Sequence, residues 1–306
     1  MNKIRTALFS IIVFIFFNSV SFASEQYSKV YIFGDSLSDN GNLSSIVGPL
    51  PNPPYFENRI SNGPVMVEVL ASLLGTKALP SFYLTGPEAG TNYAVAGAKA
   101  FGTELIDLDS QVNLFLANHG GIAAKDNLYI LFIGGNDIRN ARDNPVDVAN
   151  DLIQSALTSE LDNIKKLIAA GAEHFMILNA PDIGKIPESS LLAALTGDTS
   201  IVKRASRYSH TFNKKLFHRI DKLKKKYHLD VTKINIEKIF SKVLAKGRKF
   251  NFTNTTDACF SSINQSFNSG CDFGNNFDSY VFFDEIHPSA HMHSVIANFI
   301  FKRLDD

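Results

Sequence analysis

A serine lies at the point where an apolar stretch of the sequence ends. Lys29 to Phe33 has the length and composition of a strand buried on both faces, and Gly34-Asp35-Ser36-Leu37 follows it directly. A serine in that place lies at the carboxyl edge of a parallel sheet, where α/β proteins bind their ligands. Ser36 is therefore a candidate nucleophile, because backbone N–H groups in such a turn can stabilise an oxyanion. The alternative is a strand-to-helix turn in which Ser36 or Ser38 caps the helix.

A carboxylate and an imidazole stand three residues apart near the C-terminus, in Asp284-Glu285-Ile286-His287-Pro288. A serine hydroxyl needs a base to remove its proton, and an imidazole does this best when a carboxylate fixes its tautomer. The spacing allows Asp284 to bond one ring nitrogen of His287 while the other nitrogen meets Ser36. Two alternatives remain open. Asp284 can be a helix cap beside a surface histidine, or His287 can bind a metal ion together with His291 and either Asp284 or His293.

Two further segments carry groups that can donate hydrogen bonds to an oxyanion. Gly97 ends the segment Asn92-Tyr93-Ala94-Val95-Ala96-Gly97, and Asn136 lies in Gly134-Gly135-Asn136-Asp137. The second segment follows an apolar run, so Asn136 is also expected at the carboxyl edge of the sheet. A glycine N–H and a side-chain amide are suitable donors, and each contributes about 2.7–4 kcal/mol to the transition state. Taken alone, Gly97 indicates a tight turn and Asn136 a turn cap.

The elements that must position these residues alternate between strands and helices. Besides Lys29 to Phe33, the runs Leu128 to Ile133 and His174 to Leu178 predict buried strands, with weaker candidates at Thr91 to Val95 and Asp230 to Ile234. Apolar residues at helical spacing predict helices between them, namely Ile153 to Ile168, Phe212 to Tyr227, and a last helix opened by Pro288. The sequence therefore predicts an α/β fold: a three-layer α/β/α sandwich around a mostly parallel sheet of about five strands.

Composition and charge exclude several classes of protein. The chain has 306 residues, of which 45% are hydrophobic and 20% charged, which excludes a disordered chain. Thirty basic residues balance thirty acidic ones, which argues against nucleic acid as a partner. Two cysteines cannot form a four-cysteine zinc site.

The first 23 residues have the pattern of a secretory signal peptide. Lys3 and Arg5 precede an apolar stretch from Ala7 to Phe17, and Ser21-Phe22-Ala23 supplies small residues for cleavage. An uncleaved anchor is the alternative, but the apolar stretch is roughly half of the ~20 residues that a membrane span needs. We therefore expect a secreted protein, with one domain over residues 24–306.

In this combination and order, the motifs resemble those of the SGNH (GDSL) hydrolase family. The resemblance runs from Val30 to the last helix and implies an SGNH, flavodoxin-like fold. It implies that Ser36 is the nucleophile and first oxyanion donor, Gly97 and Asn136 are the other donors, and Asp284 and His287 complete a triad. The Ser-Asp-Asn-Gly-Asn sequence after Leu37 and the Thr-Asp-Ala-Cys sequence that ends at Cys259 are similar to the branch of bacterial secreted phospholipases, lysophospholipases and glycerophospholipid:cholesterol acyltransferases. Ala96 departs from the pattern, because many members have glycine there.

The polar stretch from Asn251 to Asp278 contains both cysteines. In an exported protein we expect Cys259 and Cys271 to form a disulfide, and we expect this loop to flank the mouth of the active site, gating it or contacting lipid. The basic segment Lys203 to Lys226 offers a second surface for anionic lipid, although such a run is usually the solvated face of a packed helix.

These features predict an enzyme that hydrolyses lipid esters through an acyl-enzyme. The expected substrate is a lysophospholipid or phospholipid met in transient contact with a membrane surface, and a sterol such as cholesterol is an alternative acyl acceptor. No metal or organic cofactor is expected. The competing interpretations are a short-chain or carbohydrate acetyl esterase, a secreted binding module without activity, and a metallohydrolase.

Overall fold

The computed structural model describes residues 27–271 and 276–305. The predicted signal peptide, residues 1–23, lies outside the described residues. The strands are β1 Val30–Gly34, β2 Leu128–Phe132, β3 His174–Leu178, β4 Asp230–Ile234, β5 Asn254–Ala258, β6 Phe260–Ser261, β7 Ser266–Phe267 and β8 Tyr280–Phe282. The α-helices are α1 Asn42–Val47, α2 Met66–Leu73, α3 Leu108–Asn118, α4 Gly135–Arg142, α5 Val146–Ala169, α6 Pro187–Thr196, α7 Ser200–Tyr227, α8 Ile236–Ala245 and α9 Ala290–Asp305. Short 3₁₀ turns lie at Ile183–Lys185, Gly247–Phe250 and Phe277–Ser279.

The central sheet contains β1, β2, β3 and β4 in that order, and all three pairings are parallel. Every residue of β1 and β2 is buried, as the uninterrupted apolar runs of these strands predict. The carboxyl ends of the strands meet at one edge, since Gly34 pairs with Phe132 and Phe132 with Leu178. The segments that follow β1 and β2 therefore begin side by side.

The predicted fifth strand differs from the other four. Thr91 to Val95 runs beside β1 as an extended segment, in which Asn92 forms an isolated parallel bridge with Ile32. Backbone hydrogen bonds join Tyr93 N–H to Ile32 O at 2.7 Å and Val95 N–H to Gly34 O at 3.1 Å. On the other side of the segment, the Asn42 side-chain amide donates to the carbonyls of Asn92 and Ala94, both at 2.8 Å. The regular sheet therefore contains four strands, whereas the sequence predicted about five.

The helices form two groups, as a sheet covered on both faces requires. Helices α3, α4, α5, α6 and α7 pack against one another, and α9 packs against α2 and α8. Helix α5 ends at Ala169, and Gly171 follows it with φ +113°, a conformation that favours glycine. The last helix begins at Ala290 rather than at the predicted Pro288, because Pro288 pairs with Phe282 and the Ser289 hydroxyl accepts from the N–H of Met292 at 3.3 Å. No helix in the described ranges is long and apolar enough to cross a bilayer.

The stretch predicted as one polar loop, Asn251 to Asp278, contains short strands. β5 pairs with β8 in parallel, and β6 pairs with β7 in an antiparallel hairpin. Cys259 and Cys271 are joined by a disulfide, with their Cα atoms 5.3 Å apart. Both cysteines lie in a small apolar cluster separate from the main core, together with Phe260, Phe277, Tyr280 and Phe283. The cluster gives this part of the chain a core of its own.

Candidate active site

Three distant side chains meet at the carboxyl edge of the sheet. The Oγ atom of Ser36 lies 2.8 Å from Nε2 of His287. On the other side of the ring, Nδ1 of His287 lies 2.8 Å from Oδ2 of Asp284. A carboxylate can only accept, so Nδ1 carries the proton and Nε2 faces the serine as a lone pair. The arrangement is that of a nucleophile, a base and a group that orients the base.

The Asp284 turn is built so that the carboxylate holds both the ring and the backbone. Besides bonding the ring, Oδ1 of Asp284 accepts from the N–H of Ile286 at 2.8 Å and from the N–H of His287 at 2.6 Å. Asp284 is 3% exposed and the side chain of His287 is 12% exposed. The turn therefore presents the imidazole at the surface of the site while its partner stays out of water.

The turn after β1 leaves the N–H of Ser36 without a partner. Asp35 O accepts from the N–H groups of Ser38 and Asp39, and the Asp35 side chain accepts from Leu37 N–H at 3.0 Å. Within residues 27–271 and 276–305, no hydrogen bond uses the N–H of Ser36. This donor is available to an oxyanion formed beside the serine Oγ.

Asn136 lies on the first turn of α4 and faces the same pocket as Ser36 and His287. Its side-chain Nδ2 donates to Ala98 O at 2.9 Å, and its Oδ1 accepts from Nη1 of Arg139 at 3.1 Å. One amide hydrogen is thus engaged, and the second is left for a ligand. Gly134, which precedes the helix, has φ +109°, and a Cβ there would lie 2.6 Å from the ring of Phe212. Glycine is therefore required at this entry to α4.

Gly97 is exposed and has φ +90°, whereas Ala96 is buried and is not among the residues with positive φ. The N–H of Ala96 donates to Oδ2 of Asp39 at 2.8 Å, which ties this loop to the turn after Ser36. The N–H of Gly97 has no partner in the part of the chain that the structure describes. Gly97 does not line the pocket that contains Ser36, Asn136 and His287. Alanine at position 96 is compatible with the loop, because only position 97 needs the left-handed conformation.

A pocket that is open to solvent lies beside Ser36. Its polar lining consists of Asp35, Ser36, Asn136, Arg139 and His287. The rest of its wall is mostly apolar and is formed by Leu37, Pro181, Ile183, Ile186, Phe240 and Ile286. An apolar cavity that opens next to a nucleophile can hold the hydrocarbon part of an ester.

Two carboxyl groups in or next to the site are buried. Burial raises the pKa of Asp35 to about 7, against the opposing effects of the Leu37 N–H and the positive charges near it. Burial likewise raises the pKa of Asp137 to about 6, although its oxygens accept from the N–H groups of Ala100 and Phe101 at 2.8 and 2.9 Å. Asp137 thereby connects α4 to the segment that follows Gly97.

The other two C-terminal histidines bond to groups outside the candidate triad. Nδ1 of His291 bonds to Asp278 O at 2.6 Å, and its ring packs on Phe252. His293 is fully buried, its Nδ1 accepts from Met66 N–H at 3.0 Å, and burial lowers its pKa to about 3. Among the described residues, no three His, Cys, Asp or Glu side chains are arranged to hold a metal ion.

The disulfide hairpin is anchored to the turn that carries the base. Both oxygens of Glu285 accept hydrogen bonds from the hairpin: Oε1 from Ser261 Oγ at 2.8 Å, and Oε2 from Ser262 Oγ at 2.7 Å. Glu285 is 7% exposed and directly follows Asp284. The hairpin therefore lies next to the candidate triad.

Sequence reasoning missed several residues of the site. Arg139 stands three residues after Asn136, so helical spacing alone places it on the same face as Asn136. Glu188, which binds Arg139, and the apolar wall residues Ile183, Ile186 and Phe240 belong to no motif. Tertiary packing alone brings them to the pocket.

Comparisons with known proteins agree with the geometry. The family model described as GDSL-like Lipase/Acylhydrolase matches residues 30–300. The chain is 29% identical over 240 residues to the phosphatidylcholine-sterol acyltransferase of Aeromonas hydrophila, covering 76% of this chain and 66% of that protein. It is 31% identical over 171 residues to Lipase 1 of Photorhabdus luminescens, covering 54% of this chain and 24% of that one. A GDSL esterase/lipase of Arabidopsis thaliana is 28% identical over 323 residues, covering 90% of this chain and 87% of that one.

The chain thus spans less than two thirds of the length of the first two relatives. The family match, by contrast, runs from β1 to α9 and includes every motif on which the site was predicted. The chain belongs to the GDSL-like lipase/acylhydrolase family.

Proposed function

We propose that this protein is an exported serine esterase that cleaves acyl esters of lipids, above all lysophospholipids. Ester hydrolysis is the chemistry of its family. The observation that carries the proposal is the continuous hydrogen-bonded series from Ser36 Oγ through both ring nitrogens of His287 to Asp284, with both contacts at 2.8 Å. Export follows from the pattern of residues 1–23 and stays a prediction.

In the proposed acylation step, Ser36 Oγ attacks the ester carbonyl while its proton moves to Nε2 of His287. The imidazolium is stabilised by the buried carboxylate of Asp284. The negative charge that develops on the carbonyl oxygen is bound by the N–H groups of Ser36 and Gly97 and by the free amide hydrogen of Asn136. The proton on Nε2 then passes to the leaving alcohol, and the acyl group remains on Ser36.

In the second step, water loses a proton to Nε2 and attacks the acyl-enzyme, which releases the fatty acid and restores Ser36 Oγ–H. An alcohol that enters in place of water gives acyl transfer by the same steps. Similarity to a phosphatidylcholine-sterol acyltransferase makes a sterol the first acceptor to test. No step needs a metal ion or organic cofactor.

The lining of the pocket supports a lipid substrate. The pocket beside Ser36 has a largely apolar wall, which can contact the hydrocarbon chain of an acyl group. The disulfide hairpin exposes apolar side chains close by: Ile263 is 66% exposed and Phe267 is 39% exposed. We propose that these residues make a transient contact with a membrane surface during substrate entry.

The test compares purified residues 24–306 with Ser36→Ala on four substrates: lysophosphatidylcholine, phosphatidylcholine, a short soluble ester and an acetylated oligosaccharide. We expect the highest kcat/KM on lysophosphatidylcholine, and we expect Ser36→Ala to lose turnover on every substrate. Added cholesterol reports acyl transfer through the appearance of a sterol ester.

Two results would contradict the proposal. Full turnover by Ser36→Ala would show that the chemistry lies elsewhere. Preference for the acetylated oligosaccharide, with no release of fatty acid from lysophospholipid, would replace the lipid by a carbohydrate ester as the substrate. Addition of EDTA separates both outcomes from metal-dependent hydrolysis, because the serine mechanism is unaffected by a chelator.

A further inference from the structure

A charged side chain is hydrogen-bonded to the candidate oxyanion donor Asn136. Arg139 lies three residues after Asn136 on α4, so the two side chains share one face of the helix. Nη1 of Arg139 donates to Oδ1 of Asn136 at 3.1 Å. The side chain of Arg139 is 27% exposed and lines the same pocket as Ser36 and Asn136.

Glu188, on the first turn of α6, holds Arg139 in place. Nε of Arg139 donates to one carboxylate oxygen of Glu188 at 2.9 Å, and Nη2 donates to the other. Nη1 of the buried Arg142 donates to Glu188 as well, at 2.8 Å. Burial alone would raise the pKa of Glu188, but its bonds to the two guanidinium groups outweigh burial and lower the pKa, so this carboxylate is ionised at neutral pH.

The contacts of the Asn136 amide determine which way it points. A guanidinium can only donate, so the atom facing Arg139 must be Oδ1; a carbonyl can only accept, so the atom facing Ala98 O must be Nδ2. Rotation of the amide by 180° would place two donors together and two acceptors together. With Oδ1 and one hydrogen fixed, the second hydrogen of Nδ2 has one remaining direction.

We propose that Arg139 is a positioning residue that holds the Asn136 amide with its free hydrogen directed at the oxyanion, and that Glu188 fixes Arg139 for this purpose. The inference rests on the proposed function, since it presumes that Asn136 binds the oxyanion.

Glu188 also connects the oxyanion donor Asn136 to the turn that carries the base His287. Its backbone N–H donates to Glu285 O at 2.8 Å, and Glu285 lies between Asp284 and His287 in the turn of the triad. Glu188, at the start of α6, therefore contacts both Arg139, which bonds the oxyanion donor, and the turn that carries the triad residues Asp284 and His287. The contact ties the turn that carries the base to the residue that holds Arg139.

The experiment is a double-mutant cycle on a soluble monomeric ester. It compares wild type, Asn136→Ala, Arg139→Met and the double variant, with kcat and KM measured separately. Removal of an oxyanion donor lowers kcat by about 10²–10³-fold, and a misplaced donor costs about 100-fold. We expect Arg139→Met to lower kcat by about 100-fold with little change in KM, because the interaction is formed only in the transition state.

In the Asn136→Ala background we expect Arg139→Met to cause no further loss, because Arg139 acts only through the missing amide. Arg139→Lys keeps a charge beside Glu188 but lacks the planar fork that bonds both carboxylate oxygens in parallel, so we expect a kcat between those of wild type and Arg139→Met. The matched control is Arg59→Met, which breaks a similar two-bonded ion pair with Glu68 and contacts no residue of the site. The control should keep the wild-type kcat.

The outcomes separate this inference from the proposed function. If Asn136→Ala loses kcat but Arg139→Met does not, or if both losses multiply in the double variant, Arg139 does not position the amide. If Asn136→Ala itself keeps the wild-type kcat, Asn136 does not bind the oxyanion, and both that part of the proposed function and the role of Arg139 are wrong. A rise in KM alone for Arg139→Met would make Arg139 a substrate-binding residue and overturn the positioning role.

Discussion

Replacing Asp284 by asparagine tests the central contact of the site without removing its shape. In the native turn, Oδ1 of Asp284 accepts from the N–H groups of Ile286 and His287, and Oδ2 lies 2.8 Å from His287 Nδ1. An asparagine can keep Oδ1 on the two backbone donors. Its Nδ2 then occupies the position of Oδ2 and donates to the ring.

The consequence is a change of tautomer. A ring nitrogen that receives a hydrogen bond cannot carry the proton, so the proton moves to Nε2, which faces Ser36. The base then has no lone pair for the serine proton, and the imidazolium of the transition state loses its carboxylate. In serine proteases this substitution costs about 10⁴-fold in kcat, which corresponds to about 5 kcal/mol of transition-state stabilisation. We expect a loss of the same order here.

The assay is kcat on a soluble ester, with thermal unfolding measured on the same samples. Because the backbone bonds of the turn are retained, the Tm of Asp284→Asn should stay close to that of wild type. The control Asp221→Asn removes a surface carboxylate that pairs with Lys233 and should leave kcat unchanged. Activity within tenfold of wild type would refute the reasoning, because it would mean that the tautomer of His287 does not depend on Asp284.

Three further outcomes follow from the structure. Replacing Phe240, which lines the pocket, by the smaller leucine should make more room for the acyl chain. The ratio of kcat/KM for longer over shorter acyl chains should therefore rise by about tenfold, and an unchanged ratio would show that the acyl chain binds elsewhere. The pKa of Asp35 is about 7 in the folded state, against 3.8 for a free carboxyl, so the folded state binds this proton more tightly than the unfolded chain does. The free energy of unfolding of the wild type therefore falls through this group as pH rises from 3.8 to 7. The Tm of Asp35→Asn relative to wild type should therefore rise over that interval, and a constant difference would contradict the shift. Breaking the disulfide with Cys259→Ser and Cys271→Ser should lower the free energy of unfolding by about 3 kcal/mol in urea titrations, and equal midpoints with equal m-values would show that the bridge does not stabilise the fold.

The first three strands of the sheet could be predicted from the sequence because each is a short, nearly uninterrupted apolar run. β1, β2 and β3 lie within one residue of the predicted runs, and β4 matches its weaker candidate. The segment Thr91 to Val95 could not be distinguished from a strand, because it pairs with β1 on one side as a strand does. On its other side the segment meets the Asn42 side chain and the backbone of Leu79 and Ser81 instead of a regular strand, and local sequence does not encode these contacts.

The candidate triad could be predicted because its chemistry requires particular residue types at the ends of predicted elements. The direction in which the Asn136 amide points could not be predicted from the sequence. It depends on Arg139 and Glu188, and Glu188 comes from a helix with no motif, more than fifty residues further along the chain. Sequence motifs identify the groups that react, whereas the groups that orient them depend on tertiary packing.

Buried carboxylates explain how loops without regular structure can hold free N–H groups in place. A donor that serves an oxyanion cannot also serve a helix or strand, so the backbone on either side must be fixed by other acceptors. Asp39 is such an acceptor: it binds three N–H groups of its own turn, at Gly41, Asn42 and Leu43, and a fourth from Ala96. Asp137 does the same for Ala100 and Phe101 on the far side of Gly97. Buried carboxylates therefore fix the backbone on both sides of Gly97 and hold its unpartnered N–H in place.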